Sequence, residues 1–206
     1  MMGIMTKLFN RFKKSVNKEK YFSTLEDLKR RGLKVGKNVI ISPGARIDFN
    51  YPYLITIGDN CVLSPGVRLI AHDSTFYSFS GGYMRVGKIE LKENCIIGTN
   101  SLILPGVTIG PNVVVVAGSV VNKDIPPNSC VAGVPARFYS SFDSYMEKMK
   151  EEIKQRPVFD AVDIEKGEDE RDTERKRKIT EGASDGSVYL KGREAKFPIW
   201  LRALDD

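Results

Sequence analysis

An aliphatic residue recurs at every sixth position over much of this chain. The recurrence falls into three runs: Val35, Ile41 and Ile47; then Ile57, Leu63 and Leu69; then Leu91, Ile97, Ile103, Ile109, Val115 and Val121. A small or β-branched residue usually stands four positions after each aliphatic, as at Cys61 and Ser101. Neither an α-helix nor an alternating strand has this period. The spacing predicts short strands separated by tight turns.

Units of six residues that each contain a strand and a turn close into coils. Three units form a triangular coil whose aliphatic residues point inward, and stacked coils bury a continuous column. The Pro-Gly pairs at 43–44, 65–66 and 105–106 lie at matching phases, where the chain must turn. We therefore predict an all-β domain, a parallel β-helix of hexapeptide repeats.

The repeat is interrupted twice. Four extra residues lie around 51–54, and a longer excursion covers about 74–88. Loops that leave a rigid repeat scaffold often carry function. Tyr77, Tyr83 and Arg85 of the long loop are therefore candidates for substrate binding. The alternative is a tolerated insertion without a role.

Both flanks of the repeat are predicted to contain helices. We expect residues 1–32 to form a helical cap on the open end of the coil stack. The alternative for this segment is weak contact of a basic amphipathic helix with a membrane surface. The expected organisation is the cap at 1–32, the β-helix at 33–137 with its loop at about 74–88, and a C-terminal helix and charged tail at 138–206.

Composition limits the functional classes. No apolar run approaches the roughly 18 residues of a membrane span, and the N-terminus lacks the pattern of a secretory signal. We expect a cytoplasmic protein, or one peripheral to the inner face of the membrane. The net charge of +6 includes basic residues that are intermixed with acidic ones in the C-terminal third, and an anionic cofactor or an anionic membrane surface explains this mild excess as well as nucleic acid does. No nucleic acid partner is expected, because the sequence shows no RNP-like aromatic residues and no recognition helix. With one histidine and no CxxC pair, no metal site is expected.

The segment Val115–Asn128, followed by Ala132–Arg137, resembles the closing coils of the hexapeptide-repeat acyltransferases, including sugar O-acetyltransferases of the maltose and galactoside type. The resemblance covers residues 33–137. It implies left-handed coiling, acetyl-CoA as co-substrate, and a homotrimer that holds the coenzyme in a groove between subunits. The residues that it assigns to coenzyme binding are Thr99 and Ala117 along the pantetheine arm, and Asn122, Lys123 and Arg137 near the phosphates and adenine. Gly118 would allow the backbone to approach the ligand closely. The alternative for Lys123 and Arg137 is ordinary surface charge.

The single histidine, His72, stands on the last repeat before the long loop. In the acyltransferases that this sequence resembles, the catalytic histidine lies at this point. A hydroxyl group is a poor nucleophile at neutral pH, and a positioned imidazole removes its proton as it attacks the thioester. We therefore predict that His72 is the general base. None of the three cysteines has an evident basic partner, so no covalent acyl-enzyme is expected.

Two residues of the preceding coil are candidates to act with His72. If Leu69 stacks over Ile47, His72 lies near Asn50, which becomes a candidate donor to the oxyanion or the acceptor hydroxyl. The alternative is an asparagine selected for the turn. Asp48 belongs to a segment that recurs in surface-polysaccharide acetyltransferases, and is expected either to orient the imidazole or to bind the acceptor.

The resulting functional hypothesis is transfer of an acetyl group from acetyl-CoA to a sugar hydroxyl. The acceptor is expected to be a small or lipid-linked sugar in cell-surface polysaccharide biosynthesis. N-acetylation of an amino sugar and O-acetylation of a xenobiotic remain open. An alternative of another class is a non-catalytic hexapeptide-repeat scaffold.

Overall fold

The computed structural model describes residues 24–160, 170–184 and 186–191. Its strands are mostly two to three residues long, as a repeat of six residues requires. In chain order they are β1 (Lys34–Val35), β2 (Ile40–Ile41), β3 (Arg46–Ile47), β4 (Ile55–Ile57), β5 (Val62–Leu63), β6 (Arg68–Leu69), β7 (His72–Asp73), β8 (Arg85–Val86), β9 (Ile89–Leu91), β10 (Cys95–Ile97), β11 (Leu102–Ile103), β12 (Thr108–Ile109), β13 (Val113–Val115), β14 (Val120–Val121), β15 (Ser129–Ala132), β16 (Arg137–Ser141), β17 (Val158–Asp160) and β18 (Tyr189–Lys191).

Three parallel sheets form the sides of a triangular prism. Sheet A has the order β1-β4-β9-β12, sheet B contains β2-β5-β10-β13-β15 with β16 at its edge, and sheet C has the order β3-β6-β11-β14. Consecutive strands belong to successive sheets, so the chain winds through four complete coils. β15 and β16 pair antiparallel at the end of the stack. The parallel β-helix predicted from the period of six is the observed architecture.

The inward aliphatic residues stack in three columns. In sheet C, for example, Ile47 is the register partner of Leu69, which lies below Ile103 and Val121. Every predicted inward residue from Ile57 to Val121 is at most 1% exposed. The first coil is only partly buried, because no coil lies beneath it.

A ladder of asparagine side chains connects the coils at the corner between sheets A and B. Each member has a positive φ between 55° and 58°, and each carboxamide hydrogen-bonds the next at 2.8–3.1 Å. The members are Asn38, Asn60, Asn94, Asn112 and Asn128. Asparagine fits because it tolerates the left-handed conformation and offers both a donor and an acceptor. The ladder fixes the register of the stack on one edge.

Both interruptions of the repeat have local structure. The first forms a 3₁₀ turn at Pro52–Leu54. The second leaves the stack as an antiparallel pair in which His72 faces Val86 and Asp73 faces Arg85. The loop therefore begins at the histidine itself, and its base is held by strand pairing.

Three helices flank the coils in the described ranges: α1 (Leu25–Arg30), α2 (Phe142–Gln155) and α3 (Glu170–Gly182). The Thr24 hydroxyl caps α1, and Leu28 packs into the coil interior. α2 lies where the sequence predicts a helix, and its Phe142 packs against Val114 and Cys130 outside sheet B. No helix in the described ranges is long and apolar enough to cross a bilayer. Residues 1–23 of the helical cap predicted over 1–32, and residues 161–169, 185 and 192–206 of the predicted C-terminal segment, lie outside the described residues.

Candidate active site

His72 and Asp48 meet at the corner between sheets C and A. Asp48 follows β3, and His72 begins β7 on the adjacent coil. His72 Nδ1 lies 2.5 Å from Asp48 Oδ2. The Asp48 side chain is 1% exposed, whereas that of His72 is 25% exposed. The corner therefore buries the carboxylate and leaves part of the imidazole open to ligands.

Three backbone N–H groups also donate to the Asp48 carboxylate. Oδ1 accepts from Asn50 at 2.9 Å and from Tyr51 at 3.3 Å, while Oδ2 accepts from Ala71 at 2.9 Å. A buried carboxylate needs such donors to remain ionised. An ionised carboxylate only accepts hydrogen bonds, so Nδ1 of His72 carries the proton. The lone pair of Nε2 is then free to act as a base.

The surroundings of His72 restrict the imidazole and give it access to ligand. The ring of Tyr51 lies 5.3 Å from the imidazole, centroid to centroid, with an interplanar angle of 52°. A cavity of about 490 Å³ is lined by His72, Asp48, residues of the first two coils, and Leu25 and Leu28 of α1. A second cavity of about 420 Å³ is bounded by His72, Leu104 and the loop base at 73–75. The histidine thus stands between two spaces.

The long-loop candidates do not line either of these cavities in the single chain. Tyr77 and Tyr83 are exposed, and Arg85 Nη2 donates to the carbonyl of Pro105 at 3.1 Å. Asp73 accepts from the Thr75 hydroxyl and N–H, and these bonds lower its pKa. The loop is anchored at its base, while its aromatic residues extend into solvent.

The residues assigned to the pantetheine arm lie at the corner between sheets B and C. The Gly118 N–H donates to the carbonyl of Thr99 at 2.8 Å, which stacks the two turns. Neither the N–H nor the carbonyl of Ala117 bonds another group of the described chain. Gly118 has φ +73°, and a Cβ built on it would meet nothing within 4 Å. In the described chain this turn leaves backbone groups of Ala117 without a hydrogen bond and leaves free space at Gly118.

The candidates for the coenzyme phosphates are exposed at the end of the stack opposite α1. Asn122 and Lys123 follow β14 directly, and Arg137 begins β16 at the edge of sheet B. The Arg137 Nη1 donates to the carbonyl of Ala136 at 2.9 Å. Within one chain, the Ala117 turn and His72 occupy opposite edges of sheet C, two coils apart. A single copy therefore does not bring the two candidate sites together.

All three cysteines are buried free thiols. Burial raises the pKa of the Cys130 thiol, and contact with Cys61 together with burial raises that of Cys95. The Cys61 Sγ lies 3.0 Å from the carbonyl of Lys92. None of these thiols lines either cavity at His72. Within the described ranges no group of three metal-binding side chains occurs.

Three residues at the His72–Asp48 pair or in the wall of its cavity were not predicted from the sequence. Tyr51 contacts both members of the pair, and Arg46 and Arg68 line the larger cavity. A signal for the arginines is present in the sequence, since each directly precedes an inward aliphatic residue of sheet C. Tyr51 lies in an interruption of the repeat, where the six-residue period does not predict where a side chain lies.

Comparison with known proteins identifies the family. Residues 88–123 match the model of the bacterial transferase hexapeptide (six repeats). The protein CapG of Staphylococcus aureus is 38% identical over 130 residues, which cover 61% of this chain and 76% of CapG. The galactoside O-acetyltransferase of Escherichia coli is 42% identical over 108 residues, or 50% of this chain and 53% of that protein. The chain belongs to the hexapeptide-repeat transferases, and membership implies a left-handed coil.

Two solved structures share the fold. The hexapeptide-repeat acetyltransferase VCA0836 of Vibrio cholerae, complexed with acetyl-CoA, is 32% identical with a TM-score of 0.50, covering 54% of this chain and 61% of that one. A galactoside acetyltransferase in complex with coenzyme A is 29% identical with a TM-score of 0.50, covering 65% and 80%. The chain spans about one third to two thirds of the length of the first curated relatives that it matches.

Proposed function

We propose that this protein transfers an acetyl group from acetyl-CoA to a hydroxyl group of a sugar. The observation that carries the proposal is the pair formed by His72 and the buried Asp48, which leaves Nε2 as a base beside a cavity. The acetyl-CoA and coenzyme A complexes of the two structural relatives, and the galactoside O-acetyltransferase, support the choice of donor and acceptor.

The reaction requires one proton transfer in each direction. His72 Nε2 takes the hydroxyl proton as the acceptor oxygen attacks the thioester carbonyl carbon. Asp48 stabilises the imidazolium that forms. The tetrahedral intermediate then collapses, the carbon–sulfur bond breaks, and the coenzyme A thiolate takes the proton from the imidazolium. A positioned general base of this kind contributes roughly 10²- to 10⁴-fold to the rate.

The tetrahedral intermediate also needs hydrogen-bond donors for its oxyanion. Asn50 is exposed beside the pair, and its N–H already donates to Asp48. Its side chain is our candidate donor to the oxyanion or to the acceptor hydroxyl. This role is a proposal from its position one coil below His72.

The coenzyme fits the corner between sheets B and C. Open backbone groups at Ala117 suit the amides of a pantetheine arm, and Gly118 leaves the space for it. Asn122, Lys123 and Arg137 would then hold the phosphates and adenine at the end of the stack. The thioester of acetyl-CoA supplies the activated acetyl group, and the protein would hold that thioester in place.

A homotrimer would join the two halves of the site. Because His72 and Ala117 occupy opposite edges of sheet C, one chain must present its histidine to the coenzyme corner of a neighbour. Triangular prisms offer flat faces for such threefold packing. The exposed aromatic residues of the long loop, Tyr77 and Tyr83, would then face the acceptor in the assembled site, where sugar rings stack on aromatic side chains.

The acceptor that we favour is a sugar of a surface-polysaccharide precursor, either small or lipid-linked. The basis is the resemblance of the Asp48–His72 stretch to polysaccharide acetyltransferases. A cytoplasmic protein, or one peripheral to the inner face of the membrane, would meet such precursors. These assignments rest on the sequence.

The proposal is tested by incubating the protein with acetyl-CoA and a panel of sugars, amino sugars, nucleotide sugars and lipid-linked sugars. Coenzyme A release is followed by its free thiol, and products are identified by mass. We expect release to depend on an acceptor and an ester-linked acetyl group on the sugar. An amide product would show N-acetylation instead. Failure to bind acetyl-CoA would favour the non-catalytic scaffold.

A further inference from the structure

Two arginines form part of the wall of the larger cavity beside His72. Arg46 and Arg68 are register partners on neighbouring strands of sheet C. Each stands directly before an inward aliphatic residue, so alternation places both side chains on the outer surface. Both are exposed, and both line the cavity of about 490 Å³ that also includes His72.

The charges of this pair are not neutralised by the protein. In the described part of the chain, neither arginine forms an ion pair. Asp48 lines the same cavity, but its carboxylate is held by His72 and backbone N–H groups. Like charges on adjacent strands repel each other and destabilise a sheet. An anionic ligand would relieve this repulsion.

In this outward column of sheet C, the arginines stand on the first two coils, next to the histidine, and apolar residues follow them. On the next two coils the same outward column of sheet C is apolar. Leu102 is the register partner of Arg68, and Val120 is the register partner of Leu102. Lys123 and Arg137, which we propose for the coenzyme phosphates, lie at the far end of the stack. The arginine pair is therefore placed to act on the acceptor rather than on the coenzyme.

We propose that Arg46 and Arg68 bind a phosphate group of the acceptor, so that the substrate class is a sugar phosphate or a diphosphate-linked sugar. This inference rests on the proposed function, because it names the acceptor of the same site. One guanidinium fork saturates a carboxylate, whereas two arginines carried on strands about 4.8 Å apart can offer two forks to a group with three acceptor oxygens. A cavity of this size is typical of small-ligand sites.

Binding can be tested without turnover. Inorganic pyrophosphate is titrated calorimetrically at low salt into the wild type, Arg46→Gln, Arg68→Gln and a control, Lys34→Gln. Lys34 occupies the same repeat position in sheet A, is exposed, and lies outside the cavity. We expect each arginine variant to weaken binding by about tenfold or more and the control to bind like the wild type. Equal binding by all four proteins would overturn the proposal.

Steady-state kinetics then test whether the arginine pair binds the acceptor. A neutral hexose is compared with its 1-phosphate and its nucleoside-diphosphate derivative at saturating acetyl-CoA. We expect the wild type to prefer the phosphorylated forms in kcat/KM, and the arginine variants to lose about tenfold of that preference. A raised KM for acetyl-CoA, with pyrophosphate competing against acetyl-CoA, would instead place coenzyme phosphates on the pair and refute the inference.

The outcomes separate this inference from the function on which it rests. Pyrophosphate binding that depends on the arginines, without acetyl transfer to any acceptor, would contradict the proposed function and not the anion site. Acetyl transfer with no preference for phosphorylated sugars would support the function and refute the acceptor class. Intact melting temperatures of the variants show that loss of binding is not loss of fold.

Discussion

The contact between His72 and Asp48 defines the chemistry available at the corner of the coil. An exposed imidazole alone can exist in either tautomer, and a buried carboxylate against Nδ1 selects the one that leaves Nε2 unprotonated. The backbone N–H groups of Asn50, Tyr51 and Ala71 donate hydrogen bonds that hold the Asp48 carboxylate in place. In the proposed mechanism Asp48 is therefore a positioning residue, since it would act through the histidine.

Replacement of Asp48 by asparagine tests this role. An amide presents N–H₂ as well as oxygen, so Nδ1 can become the acceptor and Nε2 the donor. We expect Asp48→Asn to lower kcat by about 10²-fold or more, with an unchanged KM for acetyl-CoA in a thiol-release assay. The effect on kcat alone distinguishes positioning from a general loss of structure.

The matched control is Asp59→Asn. Asp59 Oδ1 accepts the Lys37 N–H at 2.8 Å at the corner between sheets A and B, whereas Asp48 lies at the corner between sheets C and A. In both variants an amide replaces a carboxylate that accepts hydrogen bonds from backbone N–H groups, so both are expected to lose some stability. If Asp48→Asn and Asp59→Asn had equal kcat values, the orienting role of Asp48 would be refuted.

The elements of the fold differ in how well they can be predicted from the sequence. The inward columns follow from the period of six and were predicted from Val35 to Val121, whereas their last members, Ile125 and Val131, were not. The asparagine ladder was not, although an asparagine stands three residues after an inward aliphatic in every sheet A repeat, as in Leu91 to Asn94. The small parallel pair of β17 and β18 has no periodic signal, because it depends on contact between distant segments.

Substitution within the ladder tests its contribution to stability. Asn94 has φ 58° and shares hydrogen bonds with Asn60 and Asn112 at 3.1 and 2.9 Å. Asn94→Ala loses both bonds and strains the backbone, whereas Asn94→Gly loses the bonds alone. We expect alanine to be more destabilising than glycine by about 1–2 kcal/mol, measured by denaturant unfolding at fixed protein concentration. The reverse order would show that the conformation at this corner is not maintained.

For the whole molecule, the placement of the two halves of the site has the larger consequence. From the sequence, His72 was proposed as the base, a coenzyme corner was proposed by resemblance, and Asp48 was one of two candidate partners for the histidine. The sequence could not establish which side chain reaches the imidazole, because the extra residues around 51–54 interrupt the six-residue spacing between Asp48 and His72. Nor could it show that His72 and Ala117 lie on opposite edges of one sheet, since handedness and coil width are properties of the folded chain.

A mixing experiment tests whether the site is shared between copies. Gly118→Asn keeps a residue that tolerates positive φ, as Asn100 does at φ 58° one coil below, but fills the proposed path of the pantetheine. Alone, it should raise the KM for acetyl-CoA by about tenfold or more. Chains of Gly118→Asn assembled with equal amounts of His72→Ala should recover about one quarter of wild-type activity by random assortment. No recovery would contradict a site built from two chains.

The most direct test of the account is acceptor-dependent release of coenzyme A by His72→Ala compared with the wild type. Acetyl-CoA binding, measured by calorimetry, and the melting temperature serve as controls for a folded protein. The account predicts a fall in kcat of about 10²-fold or more with coenzyme binding retained. A folded His72→Ala protein that binds acetyl-CoA and turns over at the wild-type rate would contradict it.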